Sequence, residues 1–505
     1  MSKTTDNRLE VMESNNMLYD CDESLSCVVQ KELKQNPFIS PEITDYKEGY
    51  QLLYNFDTLT DDEYLNPTNS YINLELRVSS ANLGDTVNYG FGNNYNLNAV
   101  YSGDALDGQY YKSYFNTGAS VVNIFNRVEL TSSSGEIIFS EKYYNQNRTA
   151  RQYEISQERQ DTLNAMMGGL CFNKKQQKYL FPLFDTNRFE NFSIPLSEIS
   201  SFFNQSRPIP SCVLKNCVLR ITLEQPSQCV ILYKSGGLPS FAQGFDEGFG
   251  IDINRVSMNY QTIKTFDTIN KIVKHNSIQI PYKTKFTVRH KIVSSTCEFP
   301  VPLTAAQIFN VQLKIVRANF NLADSGGAEY NQNQRSPMYA NDFWEIMNGP
   351  SAFTSSVVPS FKVKIGDYYY PQYNPNQIQD YYVMTTEALN PMNASAYNDV
   401  NPQYNRSSIG CVSYTDYSFN MAQFVPMNIQ VVEFGLSTGG CIMAFDLRRN
   451  KDLGLSGITT NSQRKLSVIL TGMDAIDDAS ILNVFITVEY LQILEYKDGK
   501  ITIMK

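Results

Sequence analysis

Residues 217–236 read CVLRITLEQPSQCVILYKSG, and residues 482–499 read LNVFITVEYLQILEYKDG. Each has a strand-like segment ending I-T-aliphatic-E, a short connection, a second apolar run and a Tyr-Lys-X-Gly close. In the first, Leu219, Ile221 and Leu223 alternate with Val218, Arg220, Thr222 and Glu224. In the second, Val484, Ile486, Val488 and Tyr490 alternate with Asn483, Phe485, Thr487 and Glu489. A period of two marks strands with one face buried. The two stretches stand about half the chain apart, which predicts a duplicated all-β domain whose copies each close with this strand pair.

Composition agrees. A chain of 505 residues holds roughly two to four domains, and a repeat of half its length selects two large ones. Hydrophobic residues make up 42% and aromatics 12%, with 33 Tyr and 29 Phe, a balance that supplies a core and favours strands. Charged residues are only 18%; Asn, Gln, Ser and Tyr provide a neutral polar surface, which suits packing beside copies of the same chain, where buried charge is costly.

The net charge of −9 argues against a broad nucleic-acid or anionic-membrane footprint, both of which need clustered Lys and Arg. The first residues, MSKTTDNRLEVMESNN, contain no apolar signal core, and no window is apolar for long enough to span a bilayer, so synthesis in a cytosol is expected. Nine cysteines without framework spacing read as free buried thiols, Cys212 and Cys217 included. Asn-X-Ser/Thr sequons at Asn147, Asn191, Asn204, Asn393 and Asn405 carry little meaning without secretion.

In chain order, residues 1–45 read as an acidic arm, with Asp20, Asp22 and Glu23 around Cys21; its charge opposes genome binding. A first β domain is expected over 46–240, with strands at 70–79 and 121–130 and a hairpin through the turn 132–135 into 136–140. Residues 152–167 are a polar helix-forming stretch, and a short helix opens at Pro195 or Ser197. The Gly-rich segment 235–250 reads as the domain boundary. A second domain over 241–505 has strands at 285–293, 306–317 and 361–365, long excursions at 319–359 and 368–405, and a C-terminal hairpin turning at Asp498-Gly499. The first excursion holds Trp344 in a helical turn; the second carries a helix around 376–389.

Catalytic chemistry is sparse. The two histidines, His275 and His290, sit in strand-like contexts and read as structural. Ser325, within ADSGG, resembles a protease nucleophile loop but lacks a matching His and Asp, so it reads as a turn residue. The run GFDEGFG lacks the flanking strand and helix of a phosphate loop, and the pairs Asp61-Asp62 and Asp477-Asp478 read as solvated loop acids. No catalytic, cofactor-binding or metal-binding residue is expected.

Residues 440–470, GCIMAFDLRRNKDLGLSGITTNSQRKLSVIL, carry a resemblance. A strand ending Phe445-Asp446-Leu447, a charged turn, Ser456-Gly457-Ile458-Thr459-Thr460 and another strand resemble the pattern of double jelly-roll major capsid proteins. The segments 194–197, 217–224 and 363–371 (VKIGDYYYP) resemble the same family, so the likeness spreads over most of 50–495. The chain looks most like the capsid proteins of virophages and polinton-like viruses, in the lineage of adenovirus hexons and tailless phages. Where that family commonly has Asp-Leu-Glu, this chain has Asp446-Leu447-Arg448.

The resemblance implies two tandem jelly-roll β-sandwiches with long loop excursions and a few short helices. It further implies a non-enzymatic major capsid protein, three copies of which form a pseudo-hexameric block tiling an icosahedral shell. Expected partners are further copies and minor capsid or penton proteins, with no sequence-specific nucleic acid and an internal membrane touched at most indirectly. The expected location is the virion capsid, after synthesis in the host cytoplasm. The excursions at 319–359 and 368–405 would form an outward tower and the arm would lie on the inner side. A minor capsid or spike protein, or a carbohydrate-binding β-sandwich with exposed Tyr and Asn, stands as the alternative.

Overall fold

Alternation decides which residues pair. Along Val218–Leu223, Leu219, Ile221 and Leu223 are fully buried while Arg220 is exposed. Phe361, Val363 and Ile365 face a core in Ser360–Ile365, with Lys362 and Lys364 turned outward. A computed structural model describes residues 28–39, 42–60, 62–80, 111–115, 120–148, 162–163, 165–168, 171–173, 178–180, 184–185, 189–204, 208–234, 249–265, 277–317, 360–375, 378–389, 442–448, 457–472, 482–497 and 499–504.

The first half contributes β1 (Val28–Pro37), β2 (Gln51–Asn55), β3 (Glu63–Ser80), β4 (Tyr111–Phe115), β5 (Phe125–Thr131), β6 (Ile137–Lys142), β7 (Cys171–Asn173), β8 (Lys178–Leu180), β9 (Phe184–Asp185), β10 (Glu190–Pro195), β11 (Ile209–Pro210), β12 (Val218–Leu223), β13 (Val230–Lys234) and β14 (Phe249–Thr265). The second contributes β15 (Ile278–Lys291), β16 (Cys297–Val301), β17 (Ile308–Arg317), β18 (Ser360–Ile365), β19 (Tyr368–Tyr370), β20 (Ile442–Asp446), β21 (Leu466–Thr471), β22 (Leu482–Lys497) and β23 (Lys500–Met504). The helices between them include α1 (Leu196–Ile199), α2 (Ser211–Leu214), α3 (Pro226–Cys229) and α4 (Ile378–Leu389).

Eight strands of the first half form the antiparallel sheets β1-β14-β3-β10 and β2-β12-β5-β6; eight of the second form β15-β22-β17-β20 and β16-β21-β18-β19. Numbered one to eight within its own half, each pair of sheets has the order 1-8-3-6 and 2-7-4-5. The same non-local topology is written twice. The remaining strands are additions: β11 extends the edge beside β3, β13-β4-β9 and β7-β8 are small sheets, and β23 pairs with the end of β22. Each half closes over one core, Ile72, Leu74 and Leu76 meeting Leu219 and Ile221 in the first, and Val311 and Leu313 meeting Val363 and Val468 in the second.

The repeat is therefore present, but the echo that suggested it matches different strands. β12 is seventh in its half and β22 is eighth in the other. The expected closing pair is also not a pair in either copy. β12 is followed by α3 and then by β13 in a separate small sheet, and residues 482–497 form one continuous strand. β22 does not break because it is buried on both faces over 483–488 and 490–494.

The expected bounds shift as well. β1 lies inside the stretch read as an arm, pairing with β14 from Pro37↔Ser257 to Val28↔Thr265. β14 follows the Gly-rich segment read as a domain boundary, yet it is an inner strand of the first half. The strand expected at 70–79 starts at Glu63, with Pro67 inside it. Proline has no N–H for the ladder, and the register jumps there: Asn66 pairs with Gln261 and Tyr71 with Asn259, so residues 67–70 oppose Tyr260 alone. Ser70 closes the bulge, its Oγ donating to Asn66 O at 2.6 Å and accepting from Gln261 N at 3.1 Å. Residues 121–124, the start of the strand expected at 121–130, lie instead in a 3-10 turn, Ser120–Ile124, before β5. The hairpin β5–β6, the short helix after Pro195, the helix within 376–389 and the hairpin β22–β23 form where alternation and turn residues place them.

Burial sets the chemistry of both cores. It pushes the Cys217 thiol up to about 12 and the Tyr490 hydroxyl up to about 12, and it raises Tyr46, Tyr54 and Tyr282. In the unfolded chain these groups lose their protons near 8.5 for Cys and about 10 for Tyr. Above those values the unfolded state binds fewer protons than the folded one, so rising pH favours unfolding. The urea midpoint is expected to fall steadily from about pH 8 to about pH 11; a flat profile would contradict this reading of the cores.

Candidate assembly surfaces

In antiparallel sheets of order 1-8-3-6 and 2-7-4-5, the connections 1–2, 3–4, 5–6 and 7–8 all leave from one end of the sandwich, and 2–3, 4–5 and 6–7 from the other. The long connections obey this division. In the first half they run from β3 to β5, β6 to β10 and β12 to β14; in the second, from β17 to β18, β19 to β20 and β21 to β22. One end of each sandwich thus carries the excursions. The expected excursion at 368–405 begins after β19, since Tyr368, Tyr369 and Tyr370 pair with Ile365, Lys364 and Val363. Trp344 and residues 319–359 and 390–405 lie outside the described residues.

Helix α4 anchors part of the second excursion. It covers the outer edge of β20, where Thr385 Oγ1 accepts from the Ala444 N–H at 3.0 Å and Ala388 and Leu389 pack on Ala444. An edge strand covered in this way cannot recruit a foreign strand. Arg448 completes the anchor. Its Nε and Nη2 donate to the two Asp446 carboxylate oxygens, each at 2.8 Å, and Nη2 also reaches Glu387 O at 3.1 Å and Ala388 O at 3.4 Å. A cation on the last carbonyls of a helix meets its negative end, which is why arginine, and not glutamate, follows Asp446-Leu447 here.

Residues 457–460 form a second clasp. Ile458 and Ile308 exchange backbone hydrogen bonds at 2.8 and 2.9 Å. Thr460 Oγ1 donates to Leu303 O at 3.0 Å and accepts from Ala305 N at 3.1 Å, while Thr459 Oγ1 donates to Ala306 O at 2.7 Å. Gly457 lets the backbones approach, since a Cβ there would stand 2.6 Å from Ile308 O and 2.8 Å from Ile308 N. Gly457→Ala is expected to cost about 1–3 kcal/mol through overpacking, read as a lower urea midpoint; an unchanged midpoint would show that the clasp yields without strain.

The two halves meet along β6 and β15. The Tyr282 hydroxyl donates to Ile138 O, and the Tyr282 ring stands edge-on to Phe202 at 5.3 Å. Tyr143 and Phe485 make a second edge contact at 5.2 Å. Asn147 Oδ1 accepts from Thr287 Oγ1 at 2.8 Å and Thr487 Oγ1 at 3.0 Å, so this sequon asparagine is buried between the halves. Ile278, Ile280, Tyr282 and Leu494 belong to the core of the first half although they lie on strands of the second.

The chain is similar to three solved structures. The chain is similar to a chain of the PBCV-1 virus capsid in its quasi-atomic model, with a TM-score of 0.51 at 8% identity over 94% of this chain and 97% of that one. It is similar to the Faustovirus major capsid protein, with a TM-score of 0.50 at 10% identity over 94% and 92%. The Sputnik virophage gives a TM-score of 0.49 at 11% identity over 96% and 91%. The chain has the double jelly-roll fold. No protein-family model and no curated protein matches it in sequence.

Within the double jelly roll, the residues weighed for chemistry do not converge. His290 Nε2 lies 3.0 Å from Pro300 O, and its ring packs 5.4 Å from Phe299. Asp62 is held below its ordinary value mainly by the Thr60 hydroxyl, which donates to it at 2.6 Å. Cys212 and Cys217 are not joined in a disulfide. His275, Ser325, Asp61, Asp477 and Asp478 fall outside the described residues. Among the described residues, no three His, Cys, Asp or Glu side chains gather in a metal-binding arrangement, and no helix is long and apolar enough to cross a membrane. The structural contacts that pattern did not reveal are those of Arg448 and Asn147. Arg448 stood out only as a departure from a family pattern, and Asn147 gave no signal because its partners, Thr287 and Thr487, lie far along the chain.

Proposed function

We propose that this chain is a non-enzymatic viral major capsid protein, three copies of which form a pseudo-hexameric block of an icosahedral shell. The observation that carries this reading is the twice-written 1-8-3-6 and 2-7-4-5 strand order in one chain, welded at a single junction. Two like lobes per chain and a three-fold axis give six lobes, the shape that tiles a plane, and cyclic symmetry reuses one interface throughout. The fold shared with the PBCV-1 capsid chain and the Faustovirus major capsid protein supports the same reading.

On this reading the first roll comprises residues 28–265 and the second 278–504. The excursions beyond β17 and β19 rise outward as a tower and clasp neighbours in the trimer. Residues 1–27 form the inner arm that meets minor capsid or penton proteins, with contact to nucleic acid sequence absent and any internal membrane reached indirectly. The protein is made in the host cytoplasm and resides in the virion. Because β1 begins at Val28, a deletion confined to 1–27 should leave trimers intact and impair shell assembly. Electron microscopy of the concentrated protein tests the function: hexagonally tiled sheets or closed shells are expected. Dispersed particles that never tile and instead bind glycans would overturn it in favour of a carbohydrate-binding sandwich.

A further inference from the structure

The junction inside the chain specifies a junction between chains. Within one chain, the fifth strand of the first roll (β6) faces the first strand of the second roll (β15), and both are outermost in their sheets. A rotation that carries the first roll onto the second, repeated once more, carries the second roll onto the first roll of the next copy. The fifth strand of the second roll is β19, and the first strand of the first roll is β1; both are again outermost. We propose that β19 of one copy packs against β1 of the next, as β6 packs against β15 within the chain. This rests on the trimeric reading above and names its contact surfaces.

Exposure of apolar side chains points to the same two edges. At the internal junction the side chains that face the other roll are covered: Ile278, Ile280 and Tyr282 on β15 are 5%, 8% and 3% exposed and Ile138 on β6 is fully buried, while Ile137 at the start of β6 and Val293 beyond β15 turn outward. On the two free edges the same kind of residue faces solvent. Leu33 and Ile39, on and just beyond β1, are 71% and 57% exposed; Tyr368, Tyr369 and Tyr373, on and just beyond β19, are 64%, 42% and 53% exposed. These five are nearly half of the eleven large apolar side chains exposed among the described residues, which singles out these edges over the rest of the surface. Gln30, Lys31, Glu32 and Leu33 are exposed on both faces of β1, so the strand overhangs its own sandwich. β19 is three tyrosines with no proline or charge within it, the kind of edge that folded proteins cover with a partner. Its hydroxyls also repeat the chemistry of the internal junction, where the Tyr282 hydroxyl takes a backbone carbonyl of β6. The occupant that fits both edges at once is a second copy of this chain.

The full-length protein tests this by light scattering over a dilution series, beside hydrogen exchange of the unmodified protein. Leu33→Lys and Tyr369→Lys should each raise the concentration at which the trimer dissociates by about tenfold or more without changing the melting temperature of the monomer. A chain carrying Leu33→Asp together with Tyr369→Lys should recover most of the loss. The outward-facing backbone amides of β1 and β19, those not bonded to β14 or β18 within the chain, should be protected in the trimer and exchange on dilution, a measurement that needs no variant. A wild-type trimer whose variants dissociate at the wild-type concentration and whose outward-facing β1 and β19 amides exchange freely would overturn this contact and leave the trimer standing. A wild-type chain that stays monomeric would overturn both.

Discussion

Replacing Arg448 with alanine is expected to cost about 3–5 kcal/mol of stability, because it leaves a buried carboxylate without its cation. The Arg448 and Asp446 side chains are 9% and 8% exposed, so little water reaches the pair. The same guanidinium holds the last carbonyls of α4, and its loss should free that helix from β20. Urea unfolding should show the lower midpoint, and hydrogen exchange should show α4 opening faster than the strands beneath it. Arg448→Lys should fall between, since lysine supplies the charge without the fork. Wild-type stability in the alanine variant would show that Asp446 is satisfied by other groups.

Leu494→Ala should cost about 2–5 kcal/mol, the range for emptying a fully buried leucine site. Leu494 lies on the last long strand of the second roll, is 0% exposed, and packs into the core of the first. The loss should therefore appear in both rolls at once, as a single calorimetric transition moved to lower temperature. Two separated transitions, with only one displaced, would show that the rolls unfold independently and that the shared core does not couple them.

Much of this architecture was legible in the sequence. Alternation in 218–223 and 361–365 survives folding because each strand has one face on a core and one on solvent, the condition under which a period of two is informative. The turn at Asp498-Gly499 was legible because Gly499 adopts a φ of +78°, which glycine reaches without strain. β1 was not legible: in VVQKELKQNP residues 30–33 are exposed on both faces and the half-buried positions beyond them, Lys34 and Asn36, are polar, so no apolar period marks the strand, and its partner lies more than two hundred positions away. β14 was obscured by the bulge between Ile253 and Arg255, where the extra residue Asn254 breaks the period.

The paired stretches at 217–236 and 482–499 teach a narrower lesson. Both stretches alternate because Leu219, Ile221 and Leu223 in one and Val484, Ile486 and Val488 in the other line the core of their own half, so the echo detected a repeated kind of environment and not equivalent positions. The repeat itself is established by strand order, which no local pattern encodes. Gly457 shows the opposite case: a motif noticed by family likeness proved to have a physical reason, the close approach of two backbones at Ile308.

The most direct test of the proposed function is the mass and outline of the purified protein, by light scattering on a size-exclusion peak followed by negative-stain imaging. Three copies of a 57.4 kDa chain predict a closed particle of about 172 kDa with a hexagonal outline. A folded chain that remains a 57.4 kDa monomer at every concentration would contradict it.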